Sequence, residues 1–358
     1  MSTSVFEHPI LGGLLGDAQI AEWFSTEREI DAMLRFESAL AVVQEQAGVL
    51  PEGAAACIKQ ACGQFTPDME ALRAATLRDG VCVPELVRQL RAAVGEPFLS
   101  HVHFAATSQD VIDTALVLRL KPVLEDFVLR LVALSEQLDA AKGRFGTNRL
   151  MGHTRMQQAL PIRVADKLDT WRQPLADLLA SLGMVKTRVL RLQYGGAVGT
   201  LDKLGDEKAE ISARLALELG LANQGCWHTS RGPLVEFANW LSQLSGALGK
   251  MGQDVALMAQ NEVGEIKLSG SGGSSAMPHK QNPVSAEVLV TLARFNSTLL
   301  SGMHASLVHE NERSGSAWTL EWMLLPQMVM ASAAGLRSAS LLLGNMERIG
   351  TAEDSNAQ

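Results

Sequence analysis

From Pro233 to Val263 the apolar residues Leu234, Phe237, Leu241, Leu244, Leu248, Met251, Val255 and Met258 follow one another at steps of three and four. That is the repeat of an α-helix with one buried stripe, sustained over about four heptads. At 1.5 Å per residue such a rod is roughly 45 Å long, which commits the chain to packing long helices side by side. Thr229 or Ser230 is placed to cap it, and Pro233 suits its first turn. Gly246, Gly249 and Gly252 each weaken a solitary helix, so they are expected where another helix comes close. A seam of this length is also expected to need partner chains to cover it.

Four further stretches carry the same period. One runs from about Asp110 to Lys142 with a bend expected at Pro122, and one begins near Pro161 with a kink expected at Pro174. The others span about Val284 to Leu307 and about Thr319 to Asn345. Aromatic residues make up only 5% of the chain, with a single Tyr, while Ala, Leu and Met carry the apolar content. That mixture favours helix over sheet, and no alternating segment is long enough for a substantial sheet. The expected fold is all-α. A small N-terminal helical domain occupies residues 1–100, where Pro51, Pro67, Pro84 and Pro97 interrupt shorter patterns. A central long-helix bundle occupies 101–350, followed by a polar, frayed tail over 351–358.

The net charge of −8 argues against a nucleic-acid or anionic-membrane partner, yet leaves room for a small anion held by local donors. The start, MSTSVFEHP, lacks the basic and apolar segments of a signal peptide, and no apolar run approaches a membrane span. Cys57, Cys62, Cys82 and Cys226 form neither a CxxC pair nor a disulfide framework, which points to a reducing, cytoplasmic setting with all four as core filler.

Between two of the long helices lies EIKLSGSGGSSAMPHKQNP, Glu265 to Pro283, far longer than an antiparallel helix pair needs. Its composition alone allows a flexible linker. Its second half, however, joins the fixed backbone of Pro278 and Pro283 to a cation, Lys280, and an amide, Asn282. Mobile glycines followed by a rigid donor-bearing stretch suit a lid that closes over an anion. The order is neither that of a phosphate loop nor that of a hydrolase elbow.

The stretch GSSAMPHKQNP matches the GSSxMPxKxNP signature of the fumarase/aspartase superfamily at every fixed position. Two more blocks agree in order and spacing, HFAATSQDVIDTA at His103 to Ala115 and GHTRMQQALP at Gly152 to Pro161. The resemblance covers residues 100 to 325. The segment HENERSGSAWTLEW, His309 to Trp322 and including Arg313, is most similar to the 3-carboxy-cis,cis-muconate cycloisomerase branch.

The resemblance implies Ser274 as the group that moves the proton, with Lys280 and Asn282 binding substrate carboxylate. His103 falls where related lyases carry a histidine near the substrate, although Ala105 stands where they commonly have Gly. Thr107 and Ser108 resemble the first anion-binding block. Thr107 and Asp110 also read as a helix capping box, and both readings can hold because a helix start is itself a carboxylate site. His101 and His103 lack a third ligand, so a metal is not expected. Thr154 and Gln157 match the second block, whereas Arg155 replaces the histidine of GxTHxQxAxP. In the fumarate-releasing lyases that histidine protonates a leaving amine or hydroxide. A leaving carboxylate is stable as an anion at neutral pH, so a permanent cation suits a tricarboxylate substrate better than an acid does. The plainer reading is a surface arginine.

The resemblance also implies the superfamily's fold, without room for its further C-terminal domain, and a homotetramer with active sites shared between chains. It adds Arg313 to the substrate-binding set and implies no metal or organic cofactor. The expected reaction is closure of 3-carboxy-cis,cis-muconate to 4-carboxymuconolactone, in protocatechuate catabolism. The alternatives are a sulfonate analogue of that substrate, an argininosuccinate- or adenylosuccinate-type lyase, and a non-catalytic helical scaffold.

Overall fold

The computed structural model describes residues 4–270, 272 and 282–352. Six helices come first: α1 (Gly12–Leu15), α2 (Ala18–Glu22), α3 (Thr26–Gln46), α4 (Ala54–Gln64), α5 (Met69–Asp79) and α6 (Val83–Val94). A 3-10 turn at Leu99–His101 leads into α7 (Ser108–Phe145), then the strands β1 (Arg149–Thr154) and β2 (Gln157–Arg163), and α8 (Val164–Val189). After a short α9 (Lys208–Leu219) come α10 (Gly232–Met258), β3 (Ile266–Leu268), α11 (Val284–Ala305), α12 (Ser316–Gly344) and β4 (Met346–Ile349). The fold is predominantly helical, as expected, and no described helix is long and apolar enough to cross a membrane.

All eight seam residues of α10 are buried, and each buried leucine there contributes roughly 1.5–3 kcal/mol. They are covered by this chain's own α8, α11 and α12. The seam therefore does not call for a partner chain, contrary to expectation, because three further long helices in the same chain supply the missing surface. Gly249 and Gly252 are where α11 comes close. A Cβ at Gly252 would lie 2.5 Å from the Ala286 carbonyl oxygen, and one at Gly249 would lie 2.5 Å from the Ala293 Cβ. Gly246 has nothing within 4 Å and marks no such approach. Where α10, α11 and α12 meet, the buried Asn296 amide donates to Ser245 Oγ at 2.6 Å and Ser332 Oγ at 3.0 Å. A polar contact inside an apolar seam favours one helix register over its neighbours.

Three local expectations are corrected. The residue before α10 is Arg231, not a hydroxyl cap, and its side chain turns into the core. α8 starts at Val164, because Gln157–Arg163 pairs with Arg149–Thr154 as an antiparallel ribbon instead of joining the helix. Cys226 is exposed and is no core filler, while Cys57, Cys62 and Cys82 sit half-buried at the edge of the core. α7 and α8 continue as helices through Pro122 and Pro174. A second small ribbon, β3 with β4, ties the end of α10 to the end of α12. Thr351 is held to Arg149 by hydrogen bonds in both directions, so the chain is paired there; residues 353–358 of the expected tail lie outside the described set.

Candidate active site

The first block sits at the start of α7. Thr107 is extended and caps the helix, and Asp110 reaches back to accept from the Thr107 amide at 3.1 Å, closing the expected capping box. Asp110 is fully buried and does more than cap. It also accepts from the amides of Gly195 and Gly196, both at 2.9 Å, from the Gln193 side chain at 3.1 Å, and contacts His228 Nε2 at 2.9 Å. Its oxygens are spent on holding the 193–196 turn against the helix start. Ser108, in the first turn, instead faces a cleft of about 850 Å³ shared with Arg313, Ser314, Ser316, Trp318 and Trp322. Arg313 donates to Gln109 Oε1 at 3.1 Å and to the Ala197 carbonyl at 3.0 Å, so it binds this corner together as well as facing the cleft.

His103 and Ala105 have φ of 64° and 57°, the left-handed region, which explains why related chains favour Gly at the second position. The His103 Nδ1 lies 2.6 Å from Glu37 Oε1, a pairing that leaves it unavailable as a metal ligand through that nitrogen. Burial opposes protonation of His103, but the charge and hydrogen bond of Glu37, aided by Asp110, outweigh it and hold the imidazole above its ordinary 6.5. A histidine raised in this way stabilises the fold fully below 6.5, and that contribution is lost as pH rises through the raised value. The urea midpoint is therefore expected to fall as pH rises from 6.5, and to fall less in Glu37→Gln. Identical pH slopes for the two proteins would contradict the pairing.

Behind this corner lies a charge cluster that local sequence patterns do not reveal. Arg231 is fully buried and spans two carboxylates, with Nη1 2.6 Å from Asp113 and Nε 2.9 Å from Glu321. Trp318 donates to Asp113 at 3.0 Å, and the guanidinium lies 4.5 Å from the Trp227 ring centre. Burial raises Glu321 despite the opposing pull of Arg231. The cluster joins the start of α7, the start of α10 and the first turns of α12, and the first and last of these also line the cleft. Its sequence signals are Asp113 within HFAATSQDVIDTA and Glu321 within AWTLEW, with nothing to link them to Arg231.

The second block is at the other end of α7. Thr154 closes β1, Gln157 opens β2, and Arg155 and Met156 form the two-residue tip at φ of 49° and 67°. Such a turn normally carries Asn-Gly, so the ribbon is not readable from Arg-Met. All four residues are exposed, Met156 at 74%. The Arg155 guanidinium has no hydrogen bond or ion pair among the described residues, and is free to meet an anion. The base of the ribbon touches the stem of the third block, where the Met151 amide donates to Glu265 at 3.1 Å. Asn282 and Gly272 bridge one another through their backbones at the foot of the signature loop. Ser274 and Lys280 lie outside the described residues.

The 38 residues of α7 separate the first block from the second by about 55 Å at 1.5 Å per residue. One chain therefore cannot bring Ser108 and Arg155 onto a single small molecule. Among the described residues no group of three or more His, Cys, Asp or Glu side chains is placed to hold a metal ion.

A long-helix bundle carrying these three blocks is the architecture of the fumarase/aspartase lyases. A family model described as Lyase matches residues 17–295, and the chain belongs to that family. It is 40% identical over 331 residues to the 3-carboxy-cis,cis-muconate cycloisomerase of Pseudomonas aeruginosa, covering 90% of this chain and 72% of that one. It is 36% identical over 348 residues to the enzyme of the same name from Acinetobacter baylyi, covering 94% and 77%. The crystal structure of 3-carboxy-cis,cis-muconate lactonizing enzyme from Pseudomonas putida matches with a TM-score of 0.90 at 36% identity, over 95% of this chain and 77% of that one.

Proposed function

We propose that this enzyme closes 3-carboxy-cis,cis-muconate to 4-carboxymuconolactone, a step in aromatic catabolism through protocatechuate. One substrate carboxylate adds across a double bond, forming the ring C–O bond, while a proton is delivered to the adjacent carbon. Ser274 handles that proton, and Lys280 with Asn282 stabilises the charge that gathers on the neighbouring carboxylate. Ser108, facing the cleft at the helix start that Thr107 caps, holds a second carboxylate there.

The observation that carries the choice of cycloisomerase over amine- or hydroxide-releasing lyase is Arg155, a cation without a partner among the described residues, at an exposed tip where the lyases place an acid. Curated relatives bearing the cycloisomerase name, at 36% and 40% identity, support the same choice. Arg155→Met is expected to weaken substrate binding by roughly ten- to a hundredfold, the loss of about 1.5–3 kcal/mol of charged hydrogen bonding. Unaltered kinetics in that variant would make Arg155 a surface residue. The function itself is tested by adding purified protein to 3-carboxy-cis,cis-muconate and following the diene ultraviolet absorbance. Steady loss with lactone as product is expected. No loss, or fumarate release from argininosuccinate or adenylosuccinate, would overturn the assignment.

The working unit in this reading is a homotetramer with active sites built from several chains, supported by the length of α7 between the two blocks that must meet. Four unpaired cysteines support a reducing, cytoplasmic setting.

A further inference from the structure

Cys226 stands apart from the other three cysteines in its surroundings. It is exposed at a pocket of about 580 Å³ lined by Tyr194, Gly199, Thr200, Lys208, Ser212 and Asn223. The Gln193 side-chain amide lies 3.4 Å from its sulfur. A Cβ on Gly195 would sit 2.5 Å from Cys226 Sγ and 3.0 Å from Cε1 of His228, so thiol and imidazole wall the same space and only glycine leaves room for them. His228 is 3% exposed, with Nε2 2.9 Å from the buried Asp110, while its Nδ1 has no hydrogen-bond partner among the described residues. A thiol beside an imidazole that is itself oriented by a carboxylate is the arrangement that makes a nucleophile of sulfur.

We propose that Cys226, backed by His228 and Asp110, is a peroxide-reactive cysteine: a site of S-oxygenation that opens on the pocket of Thr200 and Lys208, separate from the cycloisomerase chemistry. The thiolate attacks one oxygen of a hydroperoxide, so the S–O bond forms as the O–O bond breaks. Sulfur is oxidised by two electrons to the sulfenic acid. The departing hydroxide takes a proton from the His228 imidazolium and leaves as water.

The electrostatics agree with the geometry. Burial raises the Cys226 thiol, but the neighbouring His228 and the Gln193 amide outweigh it and hold the thiol below its ordinary value. Burial lowers His228, but Asp110 and Cys226 push it up to about 9, so the imidazole is charged at neutral pH. At Cys62 and Cys82 burial, aided by the charges of Glu37 and Glu29, outweighs a backbone hydrogen bond and raises the thiols to about 12 and about 11.

The test is peptide mapping by mass spectrometry after brief treatment of the intact protein with hydrogen peroxide and dimedone at neutral pH. The dimedone adduct is expected on Cys226 about tenfold or more faster than on Cys57, Cys62 or Cys82, and His228→Asn is expected to slow it by about tenfold. Equal rates at the four cysteines, or an unlabelled Cys226, would overturn the proposal. Since His228→Asn also removes a bond to Asp110, alkylation of the unsubstituted protein by iodoacetamide gives an independent reading. Its rate at Cys226 is expected to level off at a lower pH than that of an ordinary thiol. A rate that climbs through pH 9 in the manner of a free thiol would overturn the proposal.

Discussion

Ser274→Ala is expected to lower kcat by about a thousandfold or more, with a much smaller change in KM, the pattern left by removing a group that acts only in the transition state. The expectation rests on the signature GSSAMPHKQNP, in which Ser274 matches the position to which the resemblance assigns proton transfer. An alcohol is a feeble base, so its ionised form needs donors and exclusion of water. The Gly272–Asn282 backbone bridge holds together the two ends of the stretch of sequence that carries Ser274. Near-normal turnover in Ser274→Ala would move the role to Ser275 or His103.

The largest stability effect is expected at Arg231. Its guanidinium is the sole bridge between Asp113 and Glu321 among the described residues, and all three side chains are buried. Arg231→Met keeps the volume and removes the charge, leaving two carboxylates facing one another out of water. Breaking a buried pair in this way costs about 3–5 kcal/mol. Glu321, already raised by burial, then takes up a proton, so the loss is expected to shrink as the pH is lowered. Urea unfolding of Arg231→Met at neutral pH measures the cost; a loss under about 1 kcal/mol would mean that the carboxylates find other partners. Because the cluster ties α7 to the first turns of α12, the same variant is expected to loosen the Ser108–Arg313 cleft.

The five long helices are legible because their apolar residues repeat at helical spacing over many turns, a signal that no loop or strand imitates. All eight seam positions of α10 lie in the core, and helix starts at Ser108 and Val284 fall within two residues of the expected positions. The seam does not reveal what covers it, since periodicity marks a buried face without naming the neighbour. The ribbon around Arg155 is hidden because its tip holds two non-glycine residues at positive φ, a conformation imposed by the paired strands and not by residue preference. The Arg231 cluster is hidden for another reason: its members are 118 and 90 positions apart, so only the fold brings them together. Thr107 and Asp110 read as a capping box, but the turn at Gly195 and Gly196 that Asp110 also holds does not show, because no local pattern links the two.

The separation of the Thr107–Ser108 block from the Arg155 tip along α7 makes sharing of sites between chains the central claim. Two variants test it most directly. Ser108→Asp adds a negative charge where a helix start tolerates one but a substrate carboxylate does not. Arg155→Glu reverses the cation at an exposed tip where it has no hydrogen bond or ion pair among the described residues. Each alone is expected to be nearly inactive toward 3-carboxy-cis,cis-muconate. Co-expressed in equal amounts, the two are expected to recover about a quarter of the unsubstituted activity, since random assembly gives that share of sites both intact blocks. Activity no greater than that of the separate variants would mean that each site lies within one chain, and would contradict the account.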